Sequence, residues 1–136
     1  MGCASVKDKI EVIVPKHRTE AFEEAWKAGR AGKYLVDLGW ERMMQVFNVY
    51  GQAGGGKEDE AITEAILSAV REERDQEQHL PTLIVGDLNA NPGKLQHIME
   101  LIEEEGWIDV GLHADWWGGV PAEDTCESRP EPTPRG

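Results

Sequence analysis

The spacing of apolar residues changes period several times along the chain, and each change marks an element. "KIEVIVP", Lys9 to Pro15, is β-branched and ends on proline, which predicts a strand. "TEAFEEAWKAGR" places Phe22, Ala25 and Trp26 at helical spacing behind Thr19, a suitable cap. "KYLVDLG" and "MMQVFNVYG" are strand-like, with "WER" near the turn, and their short connection predicts an antiparallel pair. "GQAGGGK", Gly51 to Lys57, reads as a flexible loop. The next segment sets Ile62, Ala65, Ile66, Ala69 and Val70 in one helical stripe. Glu58, Asp59 and Glu60 suit the positive end of that helix, and Arg71 and Arg74 its negative end.

Pro81 opens the stretch "PTLIVGDLNANPGK". Its residues Thr82 to Val85 predict a central strand with layers packed on both faces. Asn91 and Pro92 suit the cap and first position of a third helix, whose apolar face is Leu95, Ile98, Met99 and Ile102. Gly106 is placed to stop it. "WIDVG" is expected to form a short strand, and the segment from "ADWWGG" onward to be irregular. Strands interleaved with helices, together with a hairpin, predict an α/β fold with a mixed sheet.

Composition narrows the picture. A chain of 136 residues, 40% hydrophobic and 29% charged, fits one globular domain that needs no staples. Its formal net charge of -12 argues against a general nucleic-acid-binding surface, which would need Lys and Arg on phosphates. It does not exclude an enzyme that reaches phosphates through a bound cation. Cys3 and Cys126 set no disulfide framework and suit an intracellular, reducing compartment, cytoplasmic or nuclear. The opening "MGCASV" departs from the acylation pattern at Val6. No stretch is long and apolar enough for a membrane, and no protein partner is legible. His17, His79, His97 and His113 lack metal-ligand spacing.

Candidate chemistry gathers at Asp87, at the end of the predicted strand, where ligand sites of α/β folds collect. Residues two apart on an extended chain project together, so Asp87 and Asn89 are expected side by side, with Leu88 turned to the core. An acid and an amide so placed can hold a water or metal and bond a phosphate. The same residues are ordinary turn formers, and spacing alone does not decide between the two roles. "GQAGGGKE" nearly matches a phosphate-binding loop ending on Lys57, which leaves a nucleotide-binding protein as an alternative. Glu58 stands where that motif needs Ser or Thr, and Asp59 and Glu60 add repelling charge, so a connector is the better reading. Trp116 and Trp117 could stack on bases, but are expected to pack on the sheet and cover a rim.

"LIVGDLNANP" resembles the "GD(F/L)N" signature of the endonuclease/exonuclease/phosphatase superfamily, the DNase I-like group that includes abasic-site and retroelement endonucleases. "VFNVYG" is similar to that family's "NxY" strand, and "GWIDV" followed by "TC" keeps its order. The likeness spans Ile10 to Cys126. It implies a partial DNase I-like α/β sandwich over 1–126, with a mixed, largely antiparallel sheet, and a Pro-rich tail over 127–136. The implied activity is Mg²⁺- (or Mn²⁺-) dependent hydrolysis of a phosphodiester or phosphate ester, with nucleic acid or another phosphate ester as substrate. Asp87 would orient and activate the attacking water and ligate the metal, Asn89 would contact the scissile phosphate, and Tyr50 would be the site tyrosine. Asn48, two residues from Tyr50, is expected to hydrogen-bond a neighbouring loop. Asp109 and Thr125 match structural positions. The family's early Asn, its metal-binding Glu and its late Ser-Asp-His segment have no counterpart here. The chain therefore reads as the middle of a domain, and a noncatalytic remnant or interaction module of the same fold is the alternative.

Overall fold

Thr19 starts the first helix as expected, its hydroxyl accepting from the Phe22 amide at 3.3 Å. The computed structural model describes residues 10–120. In chain order it contains β1 (Glu11–Ile13), α1 (Glu20–Lys27), β2 (Ala31–Asp37), β3 (Met43–Tyr50), α2 (Lys57–Arg74), β4 (Thr82–Asp87) and α3 (Gln96–Glu105). The strands form one sheet in the order β1-β2-β3-β4. Its first two pairings are antiparallel, and β3 with β4 is parallel across the α2 crossover, so the fold is α/β with a mixed sheet. The predicted hairpin is present. Its turn closes with Arg42 N donating to the Gly39 carbonyl at 3.1 Å, and Trp40 and Glu41 take φ of 55° and 61°.

Register assigns the faces. Ala31, Lys33, Phe47, Val49 and Ile84 lie toward α1 and α2, where Phe22, Ile66, Leu67 and Val70 complete the core with Leu95. Phe22 meets Phe47 edge-on at 5.7 Å. The buried stripe of α2 is Thr63, Ile66, Leu67, Ala69 and Val70, rotated from the expected one, and leaves Ile62 exposed. Thr63 turns inward because its hydroxyl serves the preceding loop, accepting from Gln52 N at 2.9 Å.

β4 corrects the expectation of a central strand. Among the described residues it lies at an edge, and Leu83 and Val85 face away from the helices at 37% and 42% exposure. A short apolar run does not by itself distinguish one covered face from two. Beneath α2, Lys33 Nζ and Glu73 Oε1 form a buried ion pair at 3.1 Å, and Glu73 Oε2 accepts from Thr19 N at 2.7 Å. That carboxylate joins the loop before α1, the sheet and α2.

Asn91 caps a 3-10 turn, Pro92–Lys94, rather than α3 itself. The first amides of α3, on Gln96 and His97, donate instead to the Glu64 carboxylate of α2. The chain divides into two compact units, Met1–Glu100 and Leu101–Gly136. In the second, Gly106 (φ 73°) stops α3 as expected, and Trp107 N donates to the Leu101 carbonyl at 3.0 Å. "WIDVG" forms no strand: Asp109 Oδ1 accepts from Gly111 N at 2.9 Å and Leu112 N at 3.2 Å, which curls the backbone. Asp109 is thus structural. Trp116 and Trp117 are both exposed rather than packed, and Trp116 stacks on His113 at 4.1 Å. Cys3, Thr125, Cys126 and the expected boundary after residue 126 lie outside the described residues. No helix among the described residues is long and apolar enough to cross a membrane.

Candidate functional site

The parallel pairing of β3 with β4 ends on Tyr50 opposite Asp87. Two glycines allow this close approach. A Cβ on Gly86 would lie 2.0 Å from the Val49 carbonyl oxygen, and its φ of 133° is itself a glycine conformation. A Cβ on Gly51 would lie 2.1 Å from the Leu88 carbonyl oxygen. Gly51 N donates to the Asp87 carbonyl at 2.7 Å, so the segments leaving the two strands cross in backbone contact. The polar side chains of Tyr50 and Asp87 are thereby carried to one sheet end on a rigid floor.

Asp87 is exposed, and its Oδ1 accepts from Asn89 N at 3.0 Å. Leu88 turns back against the core, as expected. Asn89 is not in extended backbone. Its φ of 51° breaks the geometry on which the expected projection beside Asp87 rested, and its Nδ2 donates to the Gly51 carbonyl at 2.9 Å. The amide nitrogen thus holds the loop after β3. Tyr50 is a rim residue, half exposed.

The structure adds residues to this set. Arg30 lies immediately before β2, its carbonyl accepting from Tyr50 N at 2.8 Å and its guanidinium 5.4 Å over the Tyr50 ring. Arg30 Nη1 donates to the Gly51 carbonyl at 3.3 Å and Nη2 to Gln52 Oε1 at 2.7 Å. The Gln52 backbone N in turn donates to Oγ1 of buried Thr63 at 2.9 Å. Trp26, Arg30, Tyr34, Asn48, Tyr50 and Asp87 help line an open cleft of about 360 Å³. Asn48 corrects its expectation. Its amide has no hydrogen-bond partner among the described residues and lines the cleft. In the sequence Arg30 is one cation among 14, and only the register of β2 on β3 sets it beside Tyr50.

The packing of Asp59 weighs against the phosphate-loop alternative. Asp59 Oδ2 accepts from Gly56 N at 3.1 Å and lies 2.3 Å from where a Gly54 Cβ would sit. The carboxylate of α2 itself fills the place an anion would need, and Lys57 is exposed.

Among the described residues no three His, Cys, Asp or Glu side chains gather as a metal group. The hard oxygen donors lining the cleft are the Asp87 carboxylate and the Asn48 amide. Mg²⁺ keeps several waters and is commonly held by one or two carboxylates with substrate phosphate, so this set meets its minimum. The chain matches no protein-family model, no curated protein and no solved structure.

Proposed function

We propose that this sheet end is the phosphate-ester site of a DNase I-like hydrolase of the endonuclease/exonuclease/phosphatase type, with nucleic acid or another phosphate ester as substrate. The observation that carries the reading is the Tyr50–Asp87 rung, which opens on the cleft with the Asp87 carboxylate exposed. The Asp87 carboxylate orients an attacking water and draws its proton as the oxygen attacks phosphorus, while the P–O bond to the leaving alcohol breaks and the departing oxygen takes a proton from solvent. The Tyr50 hydroxyl and the Asn48 amide supply hydrogen bonds to phosphoryl oxygens, which is how charge developing there is stabilised. Asn89 acts from behind, through the Gly51 carbonyl, by fixing the loop beside Tyr50. Mg²⁺ (or Mn²⁺), held by Asp87 with Asn48, would supply charge neutralisation at the phosphate.

A second reading, a noncatalytic module of the same fold, is favoured by the single carboxylate in the cleft and by the exposed Leu83 and Val85. One experiment separates them. Purified chain and Asp87→Ala are assayed for Mg²⁺-dependent cleavage of plasmid DNA, abasic-site DNA and an activated phosphodiester, with circular dichroism on both. Hydrolysis lost in Asp87→Ala at unchanged fold supports the hydrolase. Folded wild-type chain without turnover on any of the three favours the noncatalytic module.

A further inference from the structure

We infer that Arg30 is the phosphate-anchoring residue of this cleft, gripping non-bridging oxygens of the ester beside Tyr50. The inference rests on the cleft being the phosphate-ester site proposed above. Its basis is electrostatic and geometric. The chain carries 26 acidic side chains against 14 basic ones, so most cations have an acid close by. The other partly or fully buried cations, Arg18, Lys33, Arg71 and Arg74, each have a carboxylate within 4.0 Å. Arg30 is half-buried and has none among the described residues. Both of its partners are neutral: the Gly51 carbonyl and the Gln52 amide oxygen.

Neutral acceptors orient a guanidinium without cancelling its charge. Two of its five N–H groups are engaged, which leaves three donors for a ligand. The Gly51 carbonyl and Gln52 Oε1 each accept from a different nitrogen of the guanidinium, and the Gln52 backbone is anchored by its N donating to Thr63 Oγ1, so the fork has two fixed points on one loop before any ligand arrives. The cleft lining holds one cation, Arg30, and one anion, Asp87. An anionic ester entering it meets repulsion from Asp87 and from the chain's net charge of -12. Arg30 is the group in the lining that offsets both, and a planar fork matches a pair of phosphoryl oxygens where an ammonium does not.

The test is binding rather than turnover. A nucleoside 5′-monophosphate and the matching nucleoside are titrated, with Mg²⁺ present, into wild-type chain, Arg30→Gln, Arg30→Lys and Asp87→Asn. Amide NMR spectra check the fold of each. Wild type should prefer the monophosphate, more strongly at low salt. Arg30→Gln should weaken monophosphate binding about tenfold or more, as expected for a lost charge-assisted pair. Arg30→Lys should recover part of it, and in a parallel titration without Mg²⁺ Asp87→Asn should bind at least as well as wild type. Equal monophosphate affinity in wild type and Arg30→Gln overturns the inference and leaves the hydrolase reading standing. Should Arg30→Gln not fold, Arg30→Lys carries the decision: affinity unchanged from wild type overturns the fork. Equal binding of nucleoside and monophosphate also overturns it. Folded wild-type chain that binds neither ligand overturns the phosphate-ester reading itself.

Discussion

Asn89 and Arg30 share one acceptor. Asn89 Nδ2 reaches the Gly51 carbonyl at 2.9 Å and Arg30 Nη1 reaches it at 3.3 Å. The loop after β4 and the residue before β2 are thus tied to one backbone oxygen beside Tyr50. Asn89→Ala removes one tie and leaves a side chain that tolerates positive φ poorly, at a cost of about 1–3 kcal/mol. Asn89→Gly loses the same bond but accepts the φ of 51°, so it should cost less. Urea unfolding of the two variants checks the order. Equal losses would mean that backbone conformation contributes nothing there.

The hairpin turn can be improved. Trp40 and Glu41 both adopt positive φ, as in a type I′ turn, and the Trp40 side chain is 88% exposed. Asn-Gly is the preferred pair for that backbone, while other residues cost roughly 1–2 kcal/mol each. Replacing Trp40-Glu41 with Asn-Gly should raise stability by about 1–2 kcal/mol, read as a higher thermal midpoint. An unchanged or lower midpoint counts against this account of the turn.

Acid should weaken the junction between α2 and α3. The Glu100 carboxyl is held below its ordinary 4.5, first by the hydrogen bond from Arg71, then by one from Gln96. The charges of Arg71 and His97 add to this, and burial opposes it. A carboxyl whose folded pKa is depressed adds stability that is full above its unfolded pKa and lost as pH falls through the folded one. Glu100→Gln should therefore flatten the loss of stability as pH drops below about 4.5, while leaving the slope near neutrality unchanged. Unfolding curves at a series of acid pH values decide it; parallel curves for both proteins reject it.

The buried pair Lys33–Glu73 should respond asymmetrically. Glu73→Ala leaves Lys33 without its partner in the core, and also takes the acceptor of Thr19 N, so it should cost about 3–5 kcal/mol. Lys33→Met combined with Glu73→Leu removes both charges and should recover part of that loss. Urea midpoints of the single and double variants give the comparison, and a double variant weaker than Glu73→Ala contradicts it.

Much of the fold was legible because it is written locally. Thr19 as a cap, the hairpin pairing, the acidic start of α2 and Gly106 as a stop are all short-range signals, and all stand in the structure. The backbone of Asn89 is not legible in the sequence, because it follows from a left-handed φ and a bond to Gly51, 38 residues away. Arg30 carried no signal at all. Its place beside Tyr50 is a product of strand register, and its want of an acidic partner depends on which side chains fold near it. "WIDVG" looked like a strand because β-branched residues suggest one, yet an aspartate can satisfy the backbone amides that follow it and end the extension.

Glu73 also bears on how long the folded chain lasts. Its partners Thr19 and Lys33 lie 54 and 40 residues away along the chain. Such loops close late, and the carboxylate has no reason to leave water before both donors are in place. The expected order is that the pair forms after the barrier to folding, which folding and unfolding rates of Glu73→Ala would check. Disturbing it should leave the rate of folding nearly as it was and shorten the lifetime of the folded chain.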